Sequence, residues 1–305
     1  MQSKKMKTTI PPARSNHCCL CLLLLLFSVS GFSQVDSARQ VNKPRLRGLV
    51  IGGAAGYGIA LAGLNHLWYA DTRRQSFRFF NDNAEWKQVD KLGHFYSSFY
   101  FSYGTSRALQ ACHMPVRKAD LWGALTGFAV LVPVEIFDGF SDAYGASTGD
   151  LIADAAGSAF YLGQSYLWNE VRIHPRFSFH RTDYAPQRPN TLGKGLPDEI
   201  LKDYNGQTYW LSVDVDKFIH FPKWLNLAVG YGAQGMVYAR TSQNLEAGYG
   251  TPYRQYYLSL DLDLTAFKTR SKVWNTLLFV ASMIKVPAPS VEFSARGTRF
   301  HAFYF

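Results

Sequence analysis

Cysteine is scarce in this 305-residue chain: there are four, and Cys18, Cys19 and Cys21 are crowded into one N-terminal apolar run. If that run is removed on export, Cys112 alone remains, which excludes an intramolecular disulfide and is expected to be a buried small hydrophobe. A full zinc motif and a glycine-rich phosphate loop are both missing. Acidic residues are few as well, 22 against 32 Lys and Arg. Nothing in this pattern points to nucleic acid. Stability has to come from a core, from association or from a membrane.

What is present begins with Lys4, Lys5, Lys7 and Arg14, an apolar run from Cys18 to Phe27, and small residues at Gly31 and Ser33. Basic region, short apolar core and small-residue cleavage site in that order predict a signal peptide over residues 1–33, cut before Gln34. The core is too short to span a bilayer comfortably. A retained anchor is the rival reading. Lipidation is disfavoured, because Leu and Cys precede the cysteines where small residues are normally required. The excised segment holds four of the basic residues and no acidic one, leaving a surplus of six positive charges. That surplus suits an anionic membrane surface or simple solubility.

The mature chain reads as α+β, an N-terminal antiparallel helical bundle associated with a membrane followed by a C-terminal antiparallel β-rich region. Residues 34–173 form the expected helical domain. An apolar, glycine-rich run covers Gly48–Ala70, and its small residues would let a neighbouring helix approach closely. Helical spacing predicts further helices over Val89–Ala111, over Ala119–Phe137 with a bend or break at Pro133, and from Thr148 or Gly149 to Trp168. Prolines 175, 186, 189 and 197 break any period over 174–206, predicting a connector. From residue 207 to 305 the period becomes two: QTYWLSVDV, LNLAVGYGAQ and RQYYLSLDLDL alternate as strands with one covered face. Asp214 with Asp216, and Asp261 with Asp263, are expected on solvated or lumenal faces. A helical insertion is expected at Lys272–Ile284, and the ending VEFSARGTRFHAFYF resembles the last strand of an outer-membrane barrel. Four to six strands are too few for an ordinary membrane pore.

The informative feature is where ionisable groups interrupt the apolar half. Asp90 and His94 are four apart, as are Asp150 and Asp154, while Glu135 and Asp138 are three apart; each pair shares a helix face. In a bundle these six can converge, and such groups in apolar surroundings must be paired, hydrated or bound to a cation. A carboxylate orienting His94 would make it a base or nucleophile, Glu135 or Asp138 an acid, and Lys91 or Arg107 an anchor for phosphate. Carboxylates with one histidine can also take a divalent ion. The plain alternative is a structural network holding bent helices together. His66, beside Trp68 and Tyr69, is expected in an interfacial belt, and His113 in a loop or cap. His174, His180, His220 and His301 have no metal-ligand spacing.

Asp90-Lys91-Leu92-Gly93-His94-Phe95, Glu135 to Asp138, and Ser147 through Asp154 with Gly157 resemble DUF2279, a family of bacterial envelope proteins described as predicted periplasmic lipoproteins. The same order of DKxxH, acidic residue and Ser/Asp helix resembles VanZ-like membrane proteins more distantly. The resemblance covers about residues 60–170. It implies an envelope location, with Asp90, Lys91, His94, Glu135, Ser147 and Asp150 as the matching positions, and carries over no reaction or cofactor; the VanZ likeness hints at envelope lipid or peptidoglycan. The expected role is a membrane-associated structural or assembly factor whose partner is a membrane lipid or an envelope protein. The alternatives are a hydrolase or transferase on a phosphate-bearing lipid or cell-wall intermediate, and a transport-related protein.

Overall fold

The computed structural model describes residues 40–69, 73–267 and 269–304, and of 67–69 the backbone only. The predicted signal peptide, its cleavage site, the side chains of the Trp68–Tyr69 belt and Phe305 lie outside what is described.

Among the described residues five helices make the N-terminal half: α1 (Lys43–Tyr69), α2 (Val89–Ala111), α3 (Val116–Ala129), α4 (Val132–Gly139) and α5 (Thr148–Trp168). Between them two-residue strands β1 (Phe79–Phe80) and β2 (Ala146–Ser147) pair in parallel. The bundle itself is α2, α3 and α5, and small residues let its helices close up. Ser98, Ser102 and Ser106 lie four apart along α2, facing Gly123 and Gly127 of α3; a Cβ at Gly127 would fall 2.0 Å from the Ser102 hydroxyl. On the other side a Cβ at Gly157 of α5 would fall 2.2 Å from the Phe95 carbonyl oxygen. Buried Asp120 ties the three helices together, accepting hydrogen bonds from Ser106 (2.6 Å), Tyr161 (2.7 Å), Gln110 (3.2 Å) and Ser165. Phe99, Tyr100, Tyr103 and Tyr161 fill the remaining core.

Of the bend or break expected at Pro133 the structure has the break: Ala119–Phe137 is divided between two helices, and Pro133 stands in the first turn of α4, where its missing N–H breaks no helical bond. One expectation about the helices changes. The first apolar run is helical from Lys43 but is not a bundle member. Residues Val50, Ile51 and Ile59 are exposed, and α1 touches the rest through such contacts as the Tyr57 hydroxyl donating to the Val130 carbonyl at 2.6 Å. By length and composition Lys43–His66 and Val116–Gly139 could each cross a membrane.

The C-terminal half is one antiparallel meander, β3 (Ile173–Phe179), β4 (Gln207–Val213), β5 (Leu225–Gln234), β6 (Tyr253–Leu262), β7 (Ala288–Ser294) and β8 (Gly297–Tyr304), each paired to the next. The expected connector is therefore shorter, since its first residues are β3. Pro175 is tolerated there because β3 is an edge strand, where no second ladder needs its N–H. The ending predicted as one strand is a hairpin of β7 and β8, turned at Gly297 with φ +104°. A helix, α6 (Lys272–Ala281), connects β6 to β7, and its Phe279 packs on Tyr100 and Tyr103.

The two faces of the sheet are reversed from those of a water-soluble protein. The enclosed face carries Arg176, Ser212, Asn226, Gln255, Ser259, Asp261, Ser290 and Glu292, all buried. Arg176 and Asp261 pair at 2.6 Å, and His174 and Asn226 meet Asp214 at 3.1 and 2.6 Å. Trp210, Tyr257 and Tyr304 fill the remaining space, with the last two rings stacked at 4.5 Å. Asp214 and Asp261 thus face the interior and not solvent. The outer face is apolar. Tyr96 of α2 covers part of it, packing on Phe177 and Tyr209, and Tyr100 donates to the Pro175 carbonyl at 2.6 Å. Beyond α2, Leu227, Val229, Tyr256, Leu258, Leu260, Phe293 and Phe300 form an exposed surface. Strand register makes it continuous, Val229 standing opposite Leu258, Leu258 opposite Val291, and Val291 opposite Phe300.

Candidate functional site

The site forms where the first turn of α2, α4 and the first turns of α5 meet. Three residues before α2, Trp86, Lys87 and Gln88, all have positive φ (45°, 51° and 63°). Side chains other than Gly tolerate this region poorly, so contacts must hold it. The sheet supplies them: the Tyr231 hydroxyl donates to the Lys87 carbonyl, and Arg254 donates to the Gln88 side chain at 2.6 Å. α2 is thereby launched with Asp90, Lys91 and His94 turned toward α5. At Gly93 a Cβ would lie 2.9 Å from the Tyr209 hydroxyl, so glycine lets the sheet approach beside the site. Ser147 caps α5 by accepting from the Asp150 N–H at 3.1 Å. Its own N–H donates to Glu135 Oε2 at 2.7 Å, which ties α4 to the same point.

Two subsites share Asp150. In the first, the Lys91 ammonium lies 2.6 Å from Asp82, 2.8 Å from Asp150 and 3.1 Å from Asp90. The Ser147 hydroxyl donates to Asp82 at 2.6 Å. In the second, His94 Nδ1 is 3.0 Å from Asp154, which is fully buried. Its Nε2 faces Glu135 Oε1 at 3.8 Å and Asp150 Oδ1 at 4.0 Å, too far for hydrogen bonds. Glu135 Oε1 has no hydrogen-bond partner although its residue is only 3% exposed.

The electrostatics show a shortage of positive charge. Burial drives the Asp90 carboxyl up to about 6, and Lys91 offsets this only in part. Asp150 is also raised by burial, against the pull of His94 and Lys91. Asp82, although desolvated, is held below its ordinary value by its bonds to Lys91 and Ser147. Burial would lower His94, but its bond to Asp154 and the charges of Asp150, Asp154 and Glu135 outweigh it and raise the imidazole to about 9. Lys91 is likewise held above its ordinary value, its carboxylate partners outweighing desolvation.

Five of the six residues picked from sequence, Asp90, His94, Glu135, Asp150 and Asp154, therefore lie together. Asp138 is half-buried one turn beyond Glu135 on α4. Asp82, which precedes α2 in an irregular segment, was not foreseen; helical spacing cannot reveal a loop residue. The expectation that Lys91 or Arg107 holds phosphate changes too. Lys91 is already surrounded by three carboxylates, and Arg107 is more than two turns beyond the site, donating to Tyr103 at 3.2 Å.

The histidine and carboxylates can move a proton or hold a cation. Beside exposed apolar helix and sheet surfaces, they define a membrane-associated protein of the cell envelope. Residues 78–168 match the family model described as "Predicted periplasmic lipoprotein (DUF2279)". The match runs from β1 through α5 and includes every residue of the site, whereas the sheet lies beyond it. No curated protein and no solved structure matches the chain.

Proposed function

We propose that the chain is a membrane-seated structural or assembly factor of the envelope, in which the outer face of the β-sheet rests against lipid and the helical unit carries the polar centre. The observation that carries this reading is the reversed sheet. Eight exposed Leu, Val, Tyr and Phe side chains on one face of β5 to β8, with Phe303 the eighth, oppose a buried polar interior. That alternation is the one membrane strands use. Trp122 and Leu125 of α3 and Ile152 and Leu167 of α5 are large apolar side chains that are exposed as well. Hydrocarbon is the occupant that suits so large a surface without asking for matching polar groups. The test is an alkaline carbonate wash of membranes containing the mature chain: it should stay with the membranes, and release into the soluble fraction would refute the reading.

The contact between His94 Nδ1 and Asp154 supports a second reading, acid–base chemistry on a phosphate-bearing lipid or cell-wall intermediate. Such a substrate would meet five carboxyl groups with Lys91 already engaged, so the site would first need further positive charge. An enzyme predicts that His94→Ala abolishes turnover while the fold survives. A structural factor predicts that it changes only stability or partner capture.

A further inference from the structure

We propose that His94, Glu135 and Asp150 form a binding site for one first-row divalent metal ion of the Zn2+ class. This inference stands apart from the lipid contact and does not depend on it. Two sets of three ligand atoms lie within 4.8 Å of one another, Asp82/Asp90/Asp150 and His94/Glu135/Asp150. They differ in one respect. The first set has its cation built in, the Lys91 ammonium at 2.6 to 3.1 Å from each carboxylate. In the second the nearest cationic group among the described residues, His94 Nε2, stands 3.8 Å from Glu135 Oε1, beyond a hydrogen bond, and that buried oxygen is left without one. Such an atom costs stability unless something meets it.

The geometry suits a metal in three further ways. Asp154 accepts at His94 Nδ1 and fixes the ring with Nε2 directed at Glu135 and Asp150, so that an ion displacing the Nε2 proton meets all three ligand atoms, the outer-sphere arrangement that orients metal-binding histidines. The Nε2 distances of 3.8 and 4.0 Å to the two carboxylate oxygens are slightly wider than ligands around one ion. Closure by a few tenths of an ångström at each side chain brings all three to about 2.0–2.2 Å from a common point. Glu135 Oε2 keeps its bond from the Ser147 N–H, fixing the carboxylate while Oε1 ligates. Lys91 can remain with Asp82 and Asp90. One imidazole with two carboxylates favours a borderline ion over Ca2+ or Mg2+, which prefer oxygen alone. His94 is 23% exposed and gives the ion its way in.

The test uses the full mature chain in detergent micelles, stripped with chelator and titrated with Zn2+ and, separately, with Ca2+, while circular dichroism monitors the fold. The wild type should bind one Zn2+ per chain and gain thermal stability from it. Glu135→Gln, which keeps the shape and its Ser147 contact, should weaken Zn2+ binding at least about 100-fold, and Asp154→Asn about 10–100-fold. His94→Gln is the second ligand variant should Glu135→Gln not fold. No Zn2+ binding by the folded wild type would overturn the proposal. So would a folded ligand variant that binds as the wild type does, or Ca2+ binding as tightly as Zn2+. Carbonate extraction of the same variants reads the membrane role separately.

Discussion

Leu258→Lys distinguishes lipid from water at the outer sheet face. Leu258 is half exposed in the middle of β6, with Val229 and Val291 directly opposite on its two neighbours. Nothing polar lies in its own row for the ammonium to meet, the nearest outer-face charge being Arg254, four residues back on the same strand. If this face is in water, the substitution is an ordinary surface change and shifts stability by no more than about 0.5 kcal/mol. If it lies against hydrocarbon, a lysine near the middle of the layer costs about 2–4 kcal/mol. The two outcomes are separated by several-fold, so urea unfolding of the chain reconstituted in lipid vesicles, followed by tryptophan fluorescence, can tell them apart. Thr298→Lys, exposed on the same face at the turn end of β8, is the control and should cost no more than about 1 kcal/mol. A Leu258→Lys cost below about 0.5 kcal/mol, with reconstitution intact, would refute lipid contact at this face.

Two further tests address the site and the helix packing. In the metal-free chain His94 is raised from its unfolded value near 6.5 to about 9, so its stabilisation is complete below about pH 6.5 and is lost as pH rises through 9. Unfolding free energies at pH 7 and 9.5 should therefore converge in His94→Gln relative to the wild type; an unchanged pH difference would contradict the assigned network. Gly157→Ala should destabilise by about 1–3 kcal/mol, because its Cβ would meet the Phe95 carbonyl of the facing helix. Gly163→Ala, on the same helix with nothing within 4 Å, should be neutral or stabilising by up to about 1 kcal/mol. Equal thermal shifts for the two variants would mean that α5 does not pack as described.

Local pattern alone determined a good deal. The range of α2 was legible at both ends, since its period begins at Val89 and the turn before Pro115 closes it. β5 was legible for the same reason, its alternation running unbroken from Leu225 to Gln234. Spacing of three and four also put the site's acidic residues on common helix faces. These features depend on neighbours within a few positions, where helix and strand geometry dictate which side chains share a face.

Tertiary structure alone decided what those faces meet. Alternation separates two sides of β6 but does not say which is enclosed, and here Asp261 and Ser259 are inside while Leu258 and Leu260 are outside. α1 has the composition of a bundle helix and yet finds little to pack on. Asp82 joins Lys91 from an irregular segment, and Asp154 reaches His94 from 60 residues away. Lys91, basic and apparently available in the sequence, is engaged by three carboxylates, while Glu135 Oε1 is left without a hydrogen bond. Which charges are neutralised and which are left over depends on distances of a few ångströms between separate helices, and no local spacing carries that information.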